Sequence, residues 1–336
     1  MPSLRTSLAA ASALLLAACA SPVDSPASLT DAQPSLAPEV ASATAVAAID
    51  NCGTHVALGT SPERIVAIKS SAAELLLALG LEERMVAAAF LDGPLEPGTG
   101  DDGTGVALLS EGLPGQEAVL GLEPDAIFAG WESNLSADGA GERDQLERLG
   151  IVTYVAPSAC KGAEHQPSPM TFPLLMDHIL EAGDVFGAAP QSQRLVAELE
   201  AQLSALEPDP RGLTALWYSS GSDTPYVGAG IGAPQMVMGA AGLTNIVGDV
   251  QDTWTSVSWE AVAAEDPDVI VLVDAAWNTA DDKIAVLEDN PATAQLSAVR
   301  NGYYVVVPFA SSEAGVRSVR AVAQIVDQLA GIAVED

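Results

Sequence analysis

Positive charge is what this sequence has least of. Thirteen Lys and Arg face 45 Asp and Glu in 336 residues, a formal net charge of −32. Nucleic acid is held through basic faces, so a nucleic-acid partner is excluded. The acids are scattered rather than run together, which reads as a solvated surface. Histidine is scarce too. His55, His165 and His178 show neither i, i+4 pairing nor clustering with cysteine, so no metal site is expected. There is no G-x-S-x-G elbow, and YSSGSD (218–223) lacks a convincing His partner, so an exported hydrolase is the remote reading and no enzyme activity is expected. GAGIGA (228–233) invites a dinucleotide reading, but its spacing is G-x-G-x-G rather than G-x-G-x-x-G, so no cofactor is expected. Beyond the N-terminus no segment offers the roughly 18 consecutive apolar residues of a membrane-crossing helix, and the rest of the chain is expected to be soluble.

What is present begins at the N-terminus. One charge at Arg5 precedes LAAASALLLAA (8–18), an apolar stretch too short to span a bilayer, which reads as a signal peptide over 1–18. It ends in Leu16-Ala17-Ala18-Cys19, which resembles the lipobox of bacterial lipoproteins. That resemblance makes Cys19 the lipidated first residue of the mature chain, anchored on the outer face of the cytoplasmic membrane. Residues 19–48, rich in Ala, Ser and Pro without periodicity, read as a flexible tether. With Cys19 so assigned, Cys52 and Cys160 remain, and an exported chain with an even remainder suggests a disulfide, two buried free thiols being the alternative.

The body alternates strand and helix signals. RIVAI (64–68), MVAAAF (85–90), DAIFAG (125–130) and VTYVA read as near-continuous apolar strands, with helices SSAAELLLALG (70–80), EAVLGL (117–122) and GERDQLERLG (141–150) between them. This argues for an α/β fold with a parallel sheet covered on both faces. The second half repeats the plan: strand TALWY (214–218), helix APQMVMGAAGL (233–243), a strand start at NIV (245–247), helix EAVAAED (260–266), strands DVIVLVD (268–274) and YYVVVP (303–308), and a closing helix from about Ser312 to Ala330. EAVLGLEPDAI (117–127) and EAVAAEDPDVI (260–270) place a Glu seven residues ahead of a Pro-Asp pair in each half, and ALGL (78–81) answers AAGL (240–243). The Gly/Pro-rich stretch 91–116 reads as an insertion in the first half. Between the halves, MTFPLLMDHILEAGDVFG (170–187) carries Phe172, Leu175, Met176, Ile179, Val185 and Phe186 on one helical stripe.

A lipobox, a tether, two lobes with the same Glu and Pro-Asp, and one bridging helix resemble a substrate-binding lipoprotein of a bacterial ABC importer. The likeness is to the helix-linked group, class III, that captures cobalamin, haem and iron–siderophore complexes. It implies two doubly wound Rossmann-like lobes, 49–169 and 189–336, joined by a single long helix over 170–188. FAGWESNLSADGAGERD, LWYSSGSDTPYVGAGIGAPQM, DTWTSVSWEAV and VVVPFASSEAGVR further resemble an actinobacterial branch, proposed to bind the deazaflavin coenzyme F-420 or its lactyl-phospho precursor. A ferric siderophore, haem or corrinoid is the alternative ligand within the same class. The resemblance implies a monomer that partners ABC permease subunits. In that family a Glu on each lobe pairs with Arg of a membrane subunit, and Glu117 and Glu260 match that pattern. For both, a helix N-terminus that favours carboxylates is the plainer explanation.

The residues themselves suggest where the small-molecule ligand sits. In open α/β sheets it lies beyond the carboxyl ends of the strands. Aromatics are few, yet Trp131 follows DAIFAG, Trp217 and Tyr218 close TALWY, Trp277 follows DVIVLVD, and Trp254 sits in the loop before Glu260. Such rings suit stacking on a planar ligand. Ser70, Glu132, Ser133, Asn134, Ser219, Ser220, Asp274 and Asn278 lie beside them as candidate polar contacts. Lys69 and Arg317 are the candidate cations for an anionic group.

Overall fold

The computed structural model describes residues 47–59, 61–95, 105–162, 164–165 and 169–334. The expected signal peptide with Arg5, the lipidation residue Cys19, nearly all of the tether, and residues 96–104 of the insertion lie outside the described residues. Among the described residues no helix is long and apolar enough to cross a membrane.

Strands β1 (Ala48–Asn51) and β2 (Thr54–Ala57) form an antiparallel hairpin. The first lobe then follows the expected alternation: β3 (Ile65–Ile68), α1 (Ser70–Ala78), β4 (Met85–Ala89), β5 (Leu108–Ser110), α2 (Gln116–Leu120), β6 (Ala126–Ala129), α3 (Arg143–Arg148) and β7 (Val152–Val155). All neighbours in the sheet β5-β4-β3-β6-β7 are parallel. Every residue of β3 and of β6 is buried, which is why these strands read as continuous apolar runs rather than alternating ones.

Helix α4 (Phe172–Val185) carries the chain to the second lobe. Thr171 caps it by accepting the Leu174 N–H at 3.2 Å, and Pro173 fits the first turn, where no intrahelical N–H is needed. The whole expected stripe from Phe172 to Phe186 is buried. A second helix, α5 (Ala189–Ser204), packs back on α4; the sequence reading did not isolate it.

The second lobe runs β8 (Thr214–Ser220), β9 (Tyr226–Gly228), α6 (Ala233–Ala240), β10 (Thr244–Asn245), β11 (Trp254–Ser256), α7 (Trp259–Glu265), β12 (Val269–Asp274), α8 (Ala280–Asp289), α9 (Ser297–Asn301), β13 (Tyr304–Pro308) and α10 (Ser318–Leu329). Its parallel part, β10-β8-β12-β13, reproduces β4-β3-β6-β7 of the first lobe. Helices α1 and α6 also end alike, at Gly80 (φ 71°) and Gly242 (φ 87°). The lobes differ at one edge, where β9 and β11 add an antiparallel ribbon to β8, so the second sheet is mixed. The closing helix starts at Ser318 rather than Ser312, because residues 309–312 form a 3-10 turn.

One apolar core runs from the first sheet through α1, α4, α6 and α10 into the second, and each sheet buries a smaller cluster on its other face. Across it the Arg317 guanidinium, at the head of α10, donates to both carboxylate oxygens of Glu74 on α1, one of them at 2.7 Å, and to the Pro94 carbonyl at 2.8 Å. This ion pair is buried and ties lobe to lobe.

Candidate functional site

The carboxyl ends of both sheets meet at a cleft of about 270 Å³. Trp131, Glu132 and Ser133 enter it from the turn after β6, and Ser158, Ala159 and Lys161 from the loop after β7. The other wall comes from the second lobe: Ser219 at the end of β8, Tyr226 on β9, Trp254 on β11, and Phe309, Ser312 and Glu313 after β13. Tyr226 and Trp254 are diagonal neighbours on the antiparallel ribbon, stacked with ring centres 5.7 Å apart and planes 17° apart. The mixed edge of the second sheet is thus what builds an aromatic wall.

Opposite it, Trp131 is held from behind. The Lys69 ammonium lies 3.8 Å from its ring centre and 4.3 Å from that of Phe90, and it pairs with Asp92. Asp92 also receives the Ser70 N–H at 3.3 Å and donates its own N–H to the Ser70 hydroxyl at 2.8 Å. Lys69 takes this place at φ 83° and ψ 152°, a backbone conformation that costs a non-glycine residue about 1–3 kcal/mol and that proteins keep mainly at ligand sites. Asn134 accepts the Trp131 backbone N–H at 3.0 Å, and the Glu132 carboxylate accepts the Lys161 backbone N–H, joining the two loops of the first lobe. The disulfide Cys52–Cys160, with Cα atoms 5.2 Å apart, fastens the second of these loops to the β1–β2 hairpin.

Of the residues expected at the site, Trp131, Glu132, Ser133, Ser219 and Trp254 line the cleft. Lys69, Ser70 and Asn134 lie buried beneath it as supports. Arg317 is spent on Glu74, so neither Lys69 nor Arg317 presents its charge to the cleft, and Lys161 is the one cation among the described lining residues. Trp217 and Tyr218 are a correction. Strand β8 runs on to Ser220, which buries both rings at 0% and 1% exposure, Trp217 in the core shared with the first lobe and Tyr218 in a second cluster with Trp259, Ile270 and Leu272 on the other face of the sheet. Ser220 does not reach the cleft lining. Asp274 faces solvent and accepts the Ala280 N–H at 2.9 Å, and the Asn278 carbonyl accepts from Lys283 at 2.6 Å. Both order the loop after β12 outside the cleft. Trp277 is 66% exposed and meets the cleft only through Phe309, edge-on at 5.8 Å.

Lys161, Tyr226, Phe309, Ser312 and Glu313 were missed. The rule that ligands sit beyond strand ends, applied to YYVVVP, points at the last three; Tyr226 needed the unforeseen ribbon. GAGIGA has a packing role, since a side chain at Gly230 would stand 2.0 Å from the Gly248 carbonyl oxygen.

Burial pushes the Glu313 carboxyl up to about 7, with Asp92 adding to the shift while Lys69, the Trp131 side chain and Lys161 oppose it. The cleft therefore combines four aromatic side chains, several hydroxyls, and a carboxyl that is part neutral near neutral pH.

Glu117 and Glu260 sit at the same helical register, second residue of α2 and second residue of α7, and both are exposed.

The periplasmic binding protein family model matches residues 65–311. The chain belongs to that family. It is 27% identical over 237 residues to a cobalamin-binding protein of Halobacterium salinarum, a match covering 66% of this chain and 57% of that one. Its fold is that of a periplasmic binding protein from Veillonella parvula (TM-score 0.75, 23% identity, 85% of this chain and 98% of the other). It also resembles an ABC-type Fe3+-hydroxamate transport system structure from Saccharomonospora viridis (TM-score 0.70, 25% identity, 84% and 98%). A periplasmic haem-binding protein of Vibrio cholerae superimposes with TM-score 0.62 at 21% identity over 79% of this chain and 98% of the other.

Proposed function

We propose that this family member is an extracytoplasmic lipoprotein, anchored through Cys19, that captures a flat heteroaromatic ligand between its lobes and passes it to an ABC importer through Glu117 and Glu260. The observation that carries the ligand reading is the facing pair of aromatic walls, Trp131 on one lobe and stacked Tyr226 and Trp254 on the other. A planar ring between them replaces water on both faces and needs few polar contacts. Lys161 at the rim offers one charge to an anionic tail. The resemblance to the F-420 branch makes a deazaflavin precursor the first compound to test.

A second reading, favoured by the cobalamin-binding relative and the hydroxamate-transport structure, keeps the class and changes the ligand to a corrinoid or ferric siderophore. Haem fits less well, because among the described lining residues there is no His, Met or Cys, and Tyr226 is the one side chain there of an axial-ligand type. Titration of the purified chain with a deazaflavin precursor, cobalamin, haem and a ferric hydroxamate, followed by Trp emission, separates these readings. The first predicts saturable binding of the deazaflavin; binding of the hydroxamate or cobalamin alone overturns it and leaves the class standing.

A further inference from the structure

Stacking leaves two adjacent residues of the cleft wall unexplained. Ser312 is 1% exposed, and its hydroxyl has no hydrogen-bond partner among the described residues. Native structures rarely keep a buried polar atom unpaired unless something else completes it. Glu313 follows in the same turn after β13, and both residues line the cleft. We propose that Ser312 and Glu313 are the specificity pair of the cleft and read a ring edge on which an N–H stands beside a C=O, as in a lactam, imide or ureide. This proposal rests on the flat-ring reading above and adds the chemistry of the ring's edge.

The two side chains complement such an edge. A serine hydroxyl donates to a carbonyl, and a carboxylate accepts from an N–H. With its carboxyl pushed up to about 7, Glu313 is neutral in a large fraction of molecules near neutral pH, so the site does not require a cation to balance it. The groups around it come from every neighbouring element. Asp92 follows β4, Lys69 heads α1, Trp131 and Glu132 follow β6, Lys161 follows β7, and Tyr226 lies on β9. Lys69 is committed to Asp92 and Glu132 to the Lys161 backbone, whereas Glu313 accepts from the Trp131 side chain and keeps acceptor capacity for a ligand N–H. A ligand that fills the aromatic slot but lacks the edge N–H forfeits the bond to Glu313 and crowds it where a methyl group replaces the hydrogen, and a site built to hydrogen-bond rejects such an analogue.

The test uses the full chain and three flat probes: 8-hydroxy-5-deazaflavin, lumazine and uracil, each paired with the analogue methylated on its edge nitrogen. Affinities are read by fluorescence titration or calorimetry between pH 6 and 8. The proposal expects at least one N–H form to bind about ten-fold or more tightly than its N-methyl partner. Ser312→Ala and Glu313→Ala should each collapse that preference. Glu313→Gln, which keeps an acceptor, should retain ring binding but lose its dependence on pH in this range. If a ring binds equally well with and without the methyl group, or if the preference survives both alanine variants, the edge-reading role is overturned while the flat-ring reading stands. If none of the six compounds binds the wild-type chain, both readings fall together.

Discussion

Asp125 and Asp268 hold the same post in the two lobes. Each follows a proline at the head of a strand, and each carboxylate accepts a backbone N–H at 2.8 Å where the neighbouring strand begins, from Arg64 before β3 and from Thr214 of β8. Asp125 accepts a second at 2.8 Å from Glu63, and Asp268 also accepts the Thr214 hydroxyl at 2.8 Å. The repeated sequence thus has a structural half, the Pro-Asp that sets strand register, and an exposed half, the Glu seven residues earlier.

Replacing either aspartate by alanine should lower stability by about 1–2 kcal/mol, because backbone donors at a strand start lose their acceptor. Asp268→Ala should cost more, since its partners are less exposed and Thr214 loses a side-chain bond as well. Urea denaturation measures this, and ligand affinity should stay unchanged.

The Glu74–Arg317 pair makes a sharper claim. Removing one partner by Glu74→Gln or Arg317→Met should cost about 3–5 kcal/mol, because the remaining buried charge loses the opposite charge that faces it. The double change should recover much of that loss, as measured in a double-mutant cycle.

How much of this was legible beforehand follows from what each signal depends on. RIVAI, DAIFAG and DVIVLVD announce themselves because strands buried on both faces must be apolar throughout. The stripe from Phe172 to Phe186 marks α4 for a similar reason. The edge ribbon β9–β11 was not legible: each strand has three residues, and its identity depends on pairing rather than composition. Trp217 and Tyr218 misled because a strand's end cannot be fixed to within two residues from composition, and two residues decide whether a ring meets ligand or core. Lys69 and Arg317 misled because charge in a sequence does not reveal its partner, and Asp92 and Glu74 lie far along the chain or on another element.

The disulfide should matter to ligand binding as well as stability. Cys52→Ser with Cys160→Ser should cost about 2–5 kcal/mol and should weaken affinity by loosening the loop that carries Ser158 and Lys161. Non-reducing peptide mapping should find one linked peptide, and thiols free to alkylate in the folded chain would contradict the bridge.

Glu313 predicts a pH dependence whose sign follows from linkage. Its folded value, about 7, exceeds the ordinary 4.5, so the folded chain holds a proton that the unfolded chain has released. The associated stability is fully present below pH 4.5 and is lost as pH rises through 7. Melting curves from pH 4 to 8 should show this decline in the wild type and a flatter profile in Glu313→Gln.

The central claim, capture followed by delivery, is tested most directly by measuring ligand affinity and cellular uptake on one variant carrying Glu117→Ala and Glu260→Ala. Both carboxylates are exposed, at matching helical positions, and neither lines the cleft. Paired with arginines of a membrane partner they would orient docking and speed encounter. The account predicts affinity within about two-fold of wild type and uptake sharply reduced. Uptake that survives the double change, or affinity that falls in step with uptake, would contradict it.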